Sequence, residues 1–227
     1  AIPSGVATGY EIEQSLRLDG TSSRLVRTPS SASNRKTFTL SLWAKKAAFN
    51  NAQTLLAARS GSTFSLYYFS NNGLNFYSND SNGEFQANTG SAIYRDPSAW
   101  YNIVLAVDTT QGTQSNRVKI YVNGVQQSLT TNNYPQNFDT YINSTLANGH
   151  QIGYESTYGS YFQGNLAEMH FVDGAALAPT SFGETGDYGE WKPIDCKDDL
   201  TYGTNGFYLN FATAADMGDD KSGNTND

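Results

Sequence analysis

Tyrosine and asparagine side chains crowd several polar stretches of the chain and are its clearest candidates for binding chemistry. A tyrosine ring offers a flat apolar face and a hydroxyl, and asparagine offers both a donor and an acceptor. Such groups suit a sugar, whose C–H face packs on a ring while its hydroxyls bond to polar atoms. The candidate ligand-binding residues lie in three loops: Tyr154, Tyr158 and Tyr161 in GYESTYGSYFQG, Tyr134 and Tyr141 in NNYPQNFDTYIN, and Tyr77 and Asn79 beside Asp80 and Asn82. The alternative is that these tyrosines cap the core with buried rings and wet hydroxyls, which would account for about half of them.

Two Asp-Gly turns are candidates for metal binding. Asp19 stands in Leu-Asp-Gly and Asp173 in Val-Asp-Gly. Calcium takes about six to eight hard oxygen ligands, which Asp, Asn and backbone carbonyls in such loops supply. The alternative is that both aspartates are ordinary turn formers that accept hydrogen bonds from their own backbone. The sequence therefore suggests a structural calcium ion at most, and no required cofactor.

Catalytic groups are scarce. The chain has one cysteine, Cys196, which excludes an intrachain disulfide and a zinc site closed by thiolates. Glu168 and His170 have the spacing of strand residues on one face, but no nucleophile pattern accompanies them. The adjacent pairs Asp198-Asp199 and Asp219-Asp220 would point their carboxylates in opposite directions on a strand. The sequence predicts a protein that is not an enzyme.

These side chains must be positioned by strands, because period-two alternation dominates the chain and no helical stripe extends beyond a few residues. The predicted strands are Phe38–Ala44, Thr54–Arg59, Phe64–Phe69, Leu74–Tyr77, Tyr101–Asp108, Val118–Val122, Leu166–Val172 and Phe207–Phe211. Asn123-Gly124 predicts a type I′ hairpin turn, and Asn71-Asn72-Gly73 predicts a second hairpin. Aromatics lie on both faces of Phe64–Phe69, which indicates a strand that is covered on both sides or that binds something on its outer face. The fold class predicted is all-β, a jelly-roll sandwich of two antiparallel sheets.

The charge and hydropathy of the chain argue against two classes of function, nucleic-acid binding and membrane insertion. The 227 residues carry a net charge of −7 with only 14 Lys and Arg, so we expect no nucleic-acid partner. No apolar run approaches the roughly 18 residues that span a bilayer, so we expect no membrane insertion. The predicted organisation is an N-terminal arm over 1–14, one domain over 15–212, and a C-terminal tail or linker over 213–227 that leads to a continuation.

Four stretches, in order, carry a resemblance to a known superfamily. They are SLRLDGTSSRLVRTP (15–29), FTLSLWAKK (38–46), WYNIVLAVDTT with RVKIYVNGVQ (100–126), and GNLAEMHFVDGAALAPTSFGE (164–184). Together they resemble the laminin-G-like, concanavalin A-like jelly rolls. The combination of GYEIEQSLRLDG with YGTNGFYLNFATAADMGDDKSGNTND is similar to structural proteins of tailed phages of marine bacteria.

The resemblance implies a function and several partners. It implies a non-enzymatic virion domain, displayed on the particle surface beside other virion proteins and sister copies, that binds host-surface polysaccharide weakly and multivalently. It also implies that the turns of Asp19 and Asp173 come together, although Ala167 stands where the family often has an acidic residue. The hydrolases of this superfamily carry E-x-D-x-x-E, and the nearest stretch here, 165–171, has one carboxylate. A purely structural decoration or tail-assembly subunit and a polysaccharide-degrading enzyme are the alternatives.

Overall fold

The regular secondary structure is almost entirely β-strand. The computed structural model describes residues 9–49, 52–70, 73–90 and 92–227. In these ranges it contains β1 (Leu16–Asp19), β2 (Leu25–Arg27), β3 (Thr37–Lys46), β4 (Gln53–Ser60), β5 (Thr63–Ser70), β6 (Gly73–Asp80), β7 (Gly83–Asn88), β8 (Tyr101–Asp108), β9 (Val118–Val122), β10 (Val125–Gln126), β11 (Thr131–Asn132), β12 (Asn148–Ile152), β13 (Gln163–Asp173), β14 (Gly183–Thr185), β15 (Trp191–Pro193) and β16 (Phe207–Leu209). Every predicted strand is present. β16 ends before Phe211 because that residue takes a left-handed φ of 58°.

Three short 3₁₀ helices interrupt the strands, at Gln114–Asn116, Pro179–Ser181 and Lys197–Asp199. Within the described ranges, no helix has the length and apolar character needed to cross a membrane.

Two seven-stranded antiparallel sheets form the sandwich. The first has the order β1-β13-β3-β8-β9-β10, with β16 also paired to β13. The second has the order β11-β7-β6-β5-β4-β12-β2, and β14 pairs with β15 in a small separate hairpin. The jelly-roll prediction is confirmed.

The core lies between the two sheets and follows directly from the alternation of residues along each strand. On β3, Phe38, Leu40 and Leu42 point inward and are essentially inaccessible to solvent. Tyr67 and Phe76 meet them from the second sheet, and the Phe38 and Phe76 rings lie 6.1 Å apart. Full burial of each large apolar side chain stabilises the fold by about 1.5–3 kcal/mol.

Two tight turns test the predicted hairpins. Asn123 and Gly124 both have positive φ, 48° and 76°, as a type I′ turn requires between β9 and β10. β5 and β6 pair antiparallel as predicted, but Asn71 and Asn72 of their turn lie outside the described residues.

The two sheets differ in what covers their outer faces. Val104 and Val172 point outward from the first sheet and pack with Phe182, Cys196 and Tyr202 from the chain that follows β13. This cover buries outward apolar side chains that would otherwise face water. The described part of the N-terminal arm also reaches this face, where Tyr10 Oη lies 3.4 Å from Tyr208 Oη.

The C-terminal segment, 213–227, is packed against the domain, so the prediction of a solvated tail needs correction. Asp220 is buried, its Oδ1 accepts the Tyr208 N–H at 2.9 Å, and the Lys221 N–H donates to the Tyr208 carbonyl at 2.8 Å. Asn224 and Asn226 donate to the Gly206 carbonyl at 3.0 and 2.8 Å. Hydrogen bonds of polar side chains, more than apolar contacts, anchor this segment, so the hydropathy of its sequence does not indicate that it is packed.

Candidate functional site

The outward side chains of β4, β5, β6 and β7 form a continuous surface, called here the open face. The strand register sets Ala57, Leu66, Tyr77 and Gln86 side by side, with Arg59, Phe64, Asn79 and Glu84 in the next row and Thr54, Tyr68, Asn75 and Asn88 in the row beyond. These rows mix aromatic rings with amides.

A hydrogen-bonded amide array crosses one side of the open face. The Asn75 side-chain amide donates to Tyr68 Oη at 3.1 Å and to Gln86 Oε1 at 3.3 Å. Its own Oδ1 is buried and accepts no hydrogen bond from the described residues. Because Tyr68 and Gln86 are half-buried, these two side chains present fixed donors and acceptors at the surface, whereas the unmatched Asn75 Oδ1 is shielded from solvent.

Tyr77 lies at the centre of the open face. Its ring packs edge-to-face against Phe64, with centroids 5.2 Å apart, a contact that fixes the ring orientation. Burial, with a hydrogen bond to the Glu84 carboxylate as a smaller cause, raises the pKa of Tyr77 to about 12. The hydroxyl therefore stays protonated at neutral pH.

The loop between β12 and β13 borders the open face and is held by a buried ion pair. Glu155 Oε1 lies 3.2 Å from Arg59 Nε, and the two side chains are 0% and 4% exposed. The Glu155 carboxylate also accepts the backbone N–H groups of Thr157 and Tyr158, both at 2.8 Å. The Arg59 guanidinium stacks between the Phe64 and Tyr158 rings, 4.5 and 5.1 Å from their centroids. Tyr158 remains 71% exposed, so its free ring face is presented to solvent on a rigid support.

Three of the seven tyrosine and asparagine candidates thus meet at the open face: Tyr77, Asn79 and Tyr158. Asn79 pairs with Phe64 across β5 and β6, and its side-chain amide donates to the Ser62 carbonyl at 3.1 Å. Tyr154 and Tyr161 form a separate pair with ring centroids 4.5 Å apart, and Arg24 lies over Tyr154 at 5.0 Å.

The two tyrosines of the long Asn-rich connection have structural contacts instead. Tyr134 is fully buried, stacks on Phe76 at 5.2 Å and shares a hydrogen bond with Ser78 Oγ at 3.0 Å. The prediction that Tyr134 contacts a ligand is therefore wrong. Tyr141 donates to Asp80 Oδ2 at 3.2 Å and lies under Arg35, away from the array.

Sequence reasoning missed Tyr68, Asn75 and Gln86 as site residues. The signal was present in the alternation of Phe64, Leu66 and Tyr68, which marks an outward aromatic row. What the pattern could not supply is the register that sets Asn75 opposite Tyr68.

The shared calcium site of Asp19 and Asp173 is contradicted by topology. Asp19 pairs with Gln163 at one end of β13, while Asp173 is its last residue, so the two are separated by about 30 Å at 3.3 Å per residue. Asp19 Oδ1 accepts the N–H groups of Thr21, Ser22 and Ser23 at 2.8, 2.8 and 3.0 Å, which lowers the pKa of Asp19 well below its usual range.

Asp173 is also occupied, since its oxygens accept Asn143 Nδ2 and the Asn205 N–H, both at 3.0 Å. In the part of the chain that the structure describes, no three His, Cys, Asp or Glu residues are grouped as metal ligands.

The histidine, cysteine and glutamate side chains that could serve in catalysis form a polar cluster on the first sheet. His170 Nε2 lies 3.6 Å from Glu168 Oε2 and 3.8 Å from Cys196 Sγ, and Tyr208 Oη donates to Glu168 at 2.7 Å. Burial, followed by the nearby Glu168 charge, raises the pKa of the Cys196 thiol to about 12. A protonated, buried thiol is a poor nucleophile, so the cluster is a packed network beneath the covering segment.

Comparison with known proteins agrees with this architecture. Residues 19–180 match the Laminin_G_3 family model, described as the concanavalin A-like lectin/glucanases superfamily. The chain therefore belongs to this superfamily. None of the curated proteins matches the sequence.

Several solved structures share the fold at low identity. The CBM40 of the Ruminococcus gnavus IT-sialidase, bound to α2,3-sialyllactose, has a TM-score of 0.52 and 14% identity over 73% of this chain and 91% of its own. Domain 4 of AbnA, a GH43 extracellular arabinanase from Geobacillus stearothermophilus in complex with arabinotriose, has a TM-score of 0.52 and 20% identity over 73% of each chain. Domains LG4-5 of the mouse laminin α1 chain give 0.52 and 13% identity, covering 71% of this chain and 42% of theirs.

Proposed function

We propose that this protein is a non-catalytic carbohydrate-binding domain and that its open face binds a neutral oligosaccharide. The observation that carries the proposal is the amide array of Tyr68, Asn75 and Gln86 beside the rings of Tyr77 and Tyr158. Rings supply apolar surface for sugar C–H groups, and the amides supply paired donors and acceptors for hydroxyls.

The fixed geometry of these groups favours binding. Tyr77 is held by Phe64, and Tyr158 rests on Arg59. Side chains that are ordered before binding lose little entropy when a ligand arrives.

The charges of this surface favour a neutral ligand. Glu155 neutralises Arg59, and both are buried beneath the loop. Glu84 is exposed at the edge of the open face, and its carboxylate repels polyanions. A neutral sugar pays no such electrostatic penalty and can donate hydroxyls to the Glu84 oxygens.

The comparisons support a carbohydrate as the ligand, since two neighbours of the same fold are named with bound sialyllactose and arabinotriose, of which only arabinotriose is neutral. The virion setting is supported by the sequence resemblance. There, many copies beside other virion proteins would convert weak single-site affinity into avidity for host polysaccharide. The proposal requires no cofactor.

A glycan array with the protein displayed multivalently tests the proposal. We expect saturable binding to neutral oligosaccharides, reduced about tenfold or more by Tyr77→Ala/Tyr158→Ala, as expected when central aromatic contacts are truncated. Tyr188→Ala is the matched control, because Tyr188 is 96% exposed on the β14–β15 turn and lies outside the open face.

Three results would count against the proposal. A blank array with a folded multimer removes the glycan ligand, and an equal loss in Tyr188→Ala removes the open face as its site. If the open face instead buries more than about 1,000 Å² against sister copies in solution, the structural-subunit alternative holds.

A further inference from the structure

A groove of about 440 Å³ lies on the other side of the sandwich, on the outer face of the first sheet. Its floor is Trp43 with Ala167, its rim is Trp100 and Pro193, and the extended segment Tyr10–Ser15 forms the opposite wall. The groove is separate from the open face, since the two sheets lie between them.

The register explains why a groove forms here. Trp43 points outward from β3, and Ala167 of β13 stands directly opposite it. A small residue beside a large ring leaves space above the sheet. The covering segment that buries Val104 and Val172 reaches this region at Pro193, which forms part of the rim.

Two of the three indole N–H groups of the protein lie at this groove and form no hydrogen bond within the described part of the chain. Trp191 Nε1 donates to Asn102 Oδ1 at 3.0 Å. The indole N–H groups of Trp43 and Trp100 make no such bond to any described residue. Trp43 is 9% exposed, but its Nε1 keeps access to solvent, so this donor is available to a ligand.

The other polar side chains of the groove can all accept hydrogen bonds, and those of Tyr10, Gln14 and Ser15 can also donate them. The carboxylates of Glu11 and Glu13 and the amide of Gln14 line the wall, and no Lys or Arg is among the described lining residues. Carboxylates disfavour an anionic ligand. An organic cation would use the rings and carboxylates, but it would leave the two indole donors unmatched.

We propose that this groove is a second binding site for a neutral sugar. The ring faces of Trp43 and Trp100 take the sugar C–H surface, their N–H groups donate to its oxygens, and Glu11, Glu13 and Gln14 accept from its hydroxyls. One chain then holds two separate glycan segments on opposite sides of the sandwich, so a single copy cross-links polysaccharide. The groove stands on its own residues, whereas the cross-linking rests on the proposed function of the open face.

Fluorine NMR of protein labelled with 5-fluorotryptophan tests the proposal directly. The chain has three tryptophans, and Trp→Phe variants assign their signals. Arabinotriose, cellotetraose and maltotetraose serve as neutral probes, with choline and trigalacturonate as charged ones. We expect a neutral probe to shift the Trp43 and Trp100 signals saturably while Trp191 stays still.

Two variants separate the sites. Trp100→Ala should weaken binding in the groove about tenfold, read from the Trp43 signal. Tyr77→Ala/Tyr158→Ala should leave these shifts unchanged, which makes failure of the groove distinguishable from failure of the open face.

The proposal is overturned if Trp43 and Trp100 stay silent with all neutral probes, or if Trp191 shifts equally. Shifts caused by choline alone would overturn it in favour of a cation site.

Discussion

Removing the charge of Glu155 should destabilise the domain strongly, because its partner cannot reach water. Glu155→Gln keeps the volume and one acceptor oxygen, but it leaves the Arg59 guanidinium unpaired. Arg59 is 4% exposed and is stacked between Phe64 and Tyr158. The guanidinium therefore cannot turn outward without breaking both ring contacts.

The magnitude follows from the geometry. At 3.2 Å the pair attracts with about 5 kcal/mol at an effective dielectric constant of about 20. The two ring contacts survive the substitution and therefore cancel in the difference between the two proteins. The acceptor oxygen that Glu155→Gln retains keeps about 2 kcal/mol as a hydrogen bond to a charged group. We expect a net loss of about 3 kcal/mol in the free energy of unfolding, at the lower end of values for broken buried pairs. At about 2–4 °C per kcal/mol for a domain of this size, Tm should fall by about 6–12 °C.

Urea unfolding followed by tyrosine and tryptophan fluorescence measures this loss. Arg59→Met/Glu155→Gln is the matched control, since it removes both charges and keeps an apolar chain between the rings. It should recover at least about half of the lost stability, because buried pairs replaced on both sides are often nearly neutral. The reasoning is refuted if Glu155→Gln stays within about 1 kcal/mol of the wild type, or if the double variant is the less stable of the two.

Three further outcomes follow from the described contacts. Three backbone N–H groups hold the pKa of Asp19 low. Its contribution to stability is therefore present above about pH 4 and is lost as the pH falls through the folded pKa. Asp19→Asn should flatten the acid limb of a Tm–pH curve, and an unchanged limb would contradict this. Cys196 is 3% exposed with a pKa of about 12, so alkylation by iodoacetamide at pH 8 should be much slower in the native protein than in urea; equal rates would show that the thiol is accessible. Tyr134→Ala should cost about 3–5 kcal/mol in urea unfolding, whereas Tyr134→Phe should lose only the bond to Ser78, about 1 kcal/mol; two equal losses would mean that the ring itself contributes little.

Local pattern was sufficient to predict the eight strands with the clearest alternation, but not shorter or more polar ones such as β7 and β12. Phe38–Ala44 alternates apolar and polar residues, and that period alone determines which side chains meet across the sandwich. The Asn123-Gly124 turn was likewise predictable, because its left-handed geometry is a property of two adjacent residues.

Contacts distant in sequence limited the prediction of the site. Tyr134 and Tyr158 occur in loops of similar composition, yet one stacks on Phe76 in the core and the other lies on Arg59 at the surface. Composition cannot distinguish them, since both outcomes depend on partners more than 50 residues away. Asp220 was missed because the group that it binds is the backbone N–H of Tyr208, which the pattern of side chains does not reveal.

The position of the proposed binding surface follows from how the two outer faces are covered. The outward Val104 and Val172 of the first sheet need an apolar cover, and the chain after β13 supplies it. The outward Glu84, which is exposed, and Gln86, which is half-buried, would lose contact with water under such a cover, at about 1–3 kcal/mol for each group left unmatched. The same alternation that builds the core therefore also determines which sheet stays open, and the open face carries fixed rings and amides because nothing in the fold requires them to be covered.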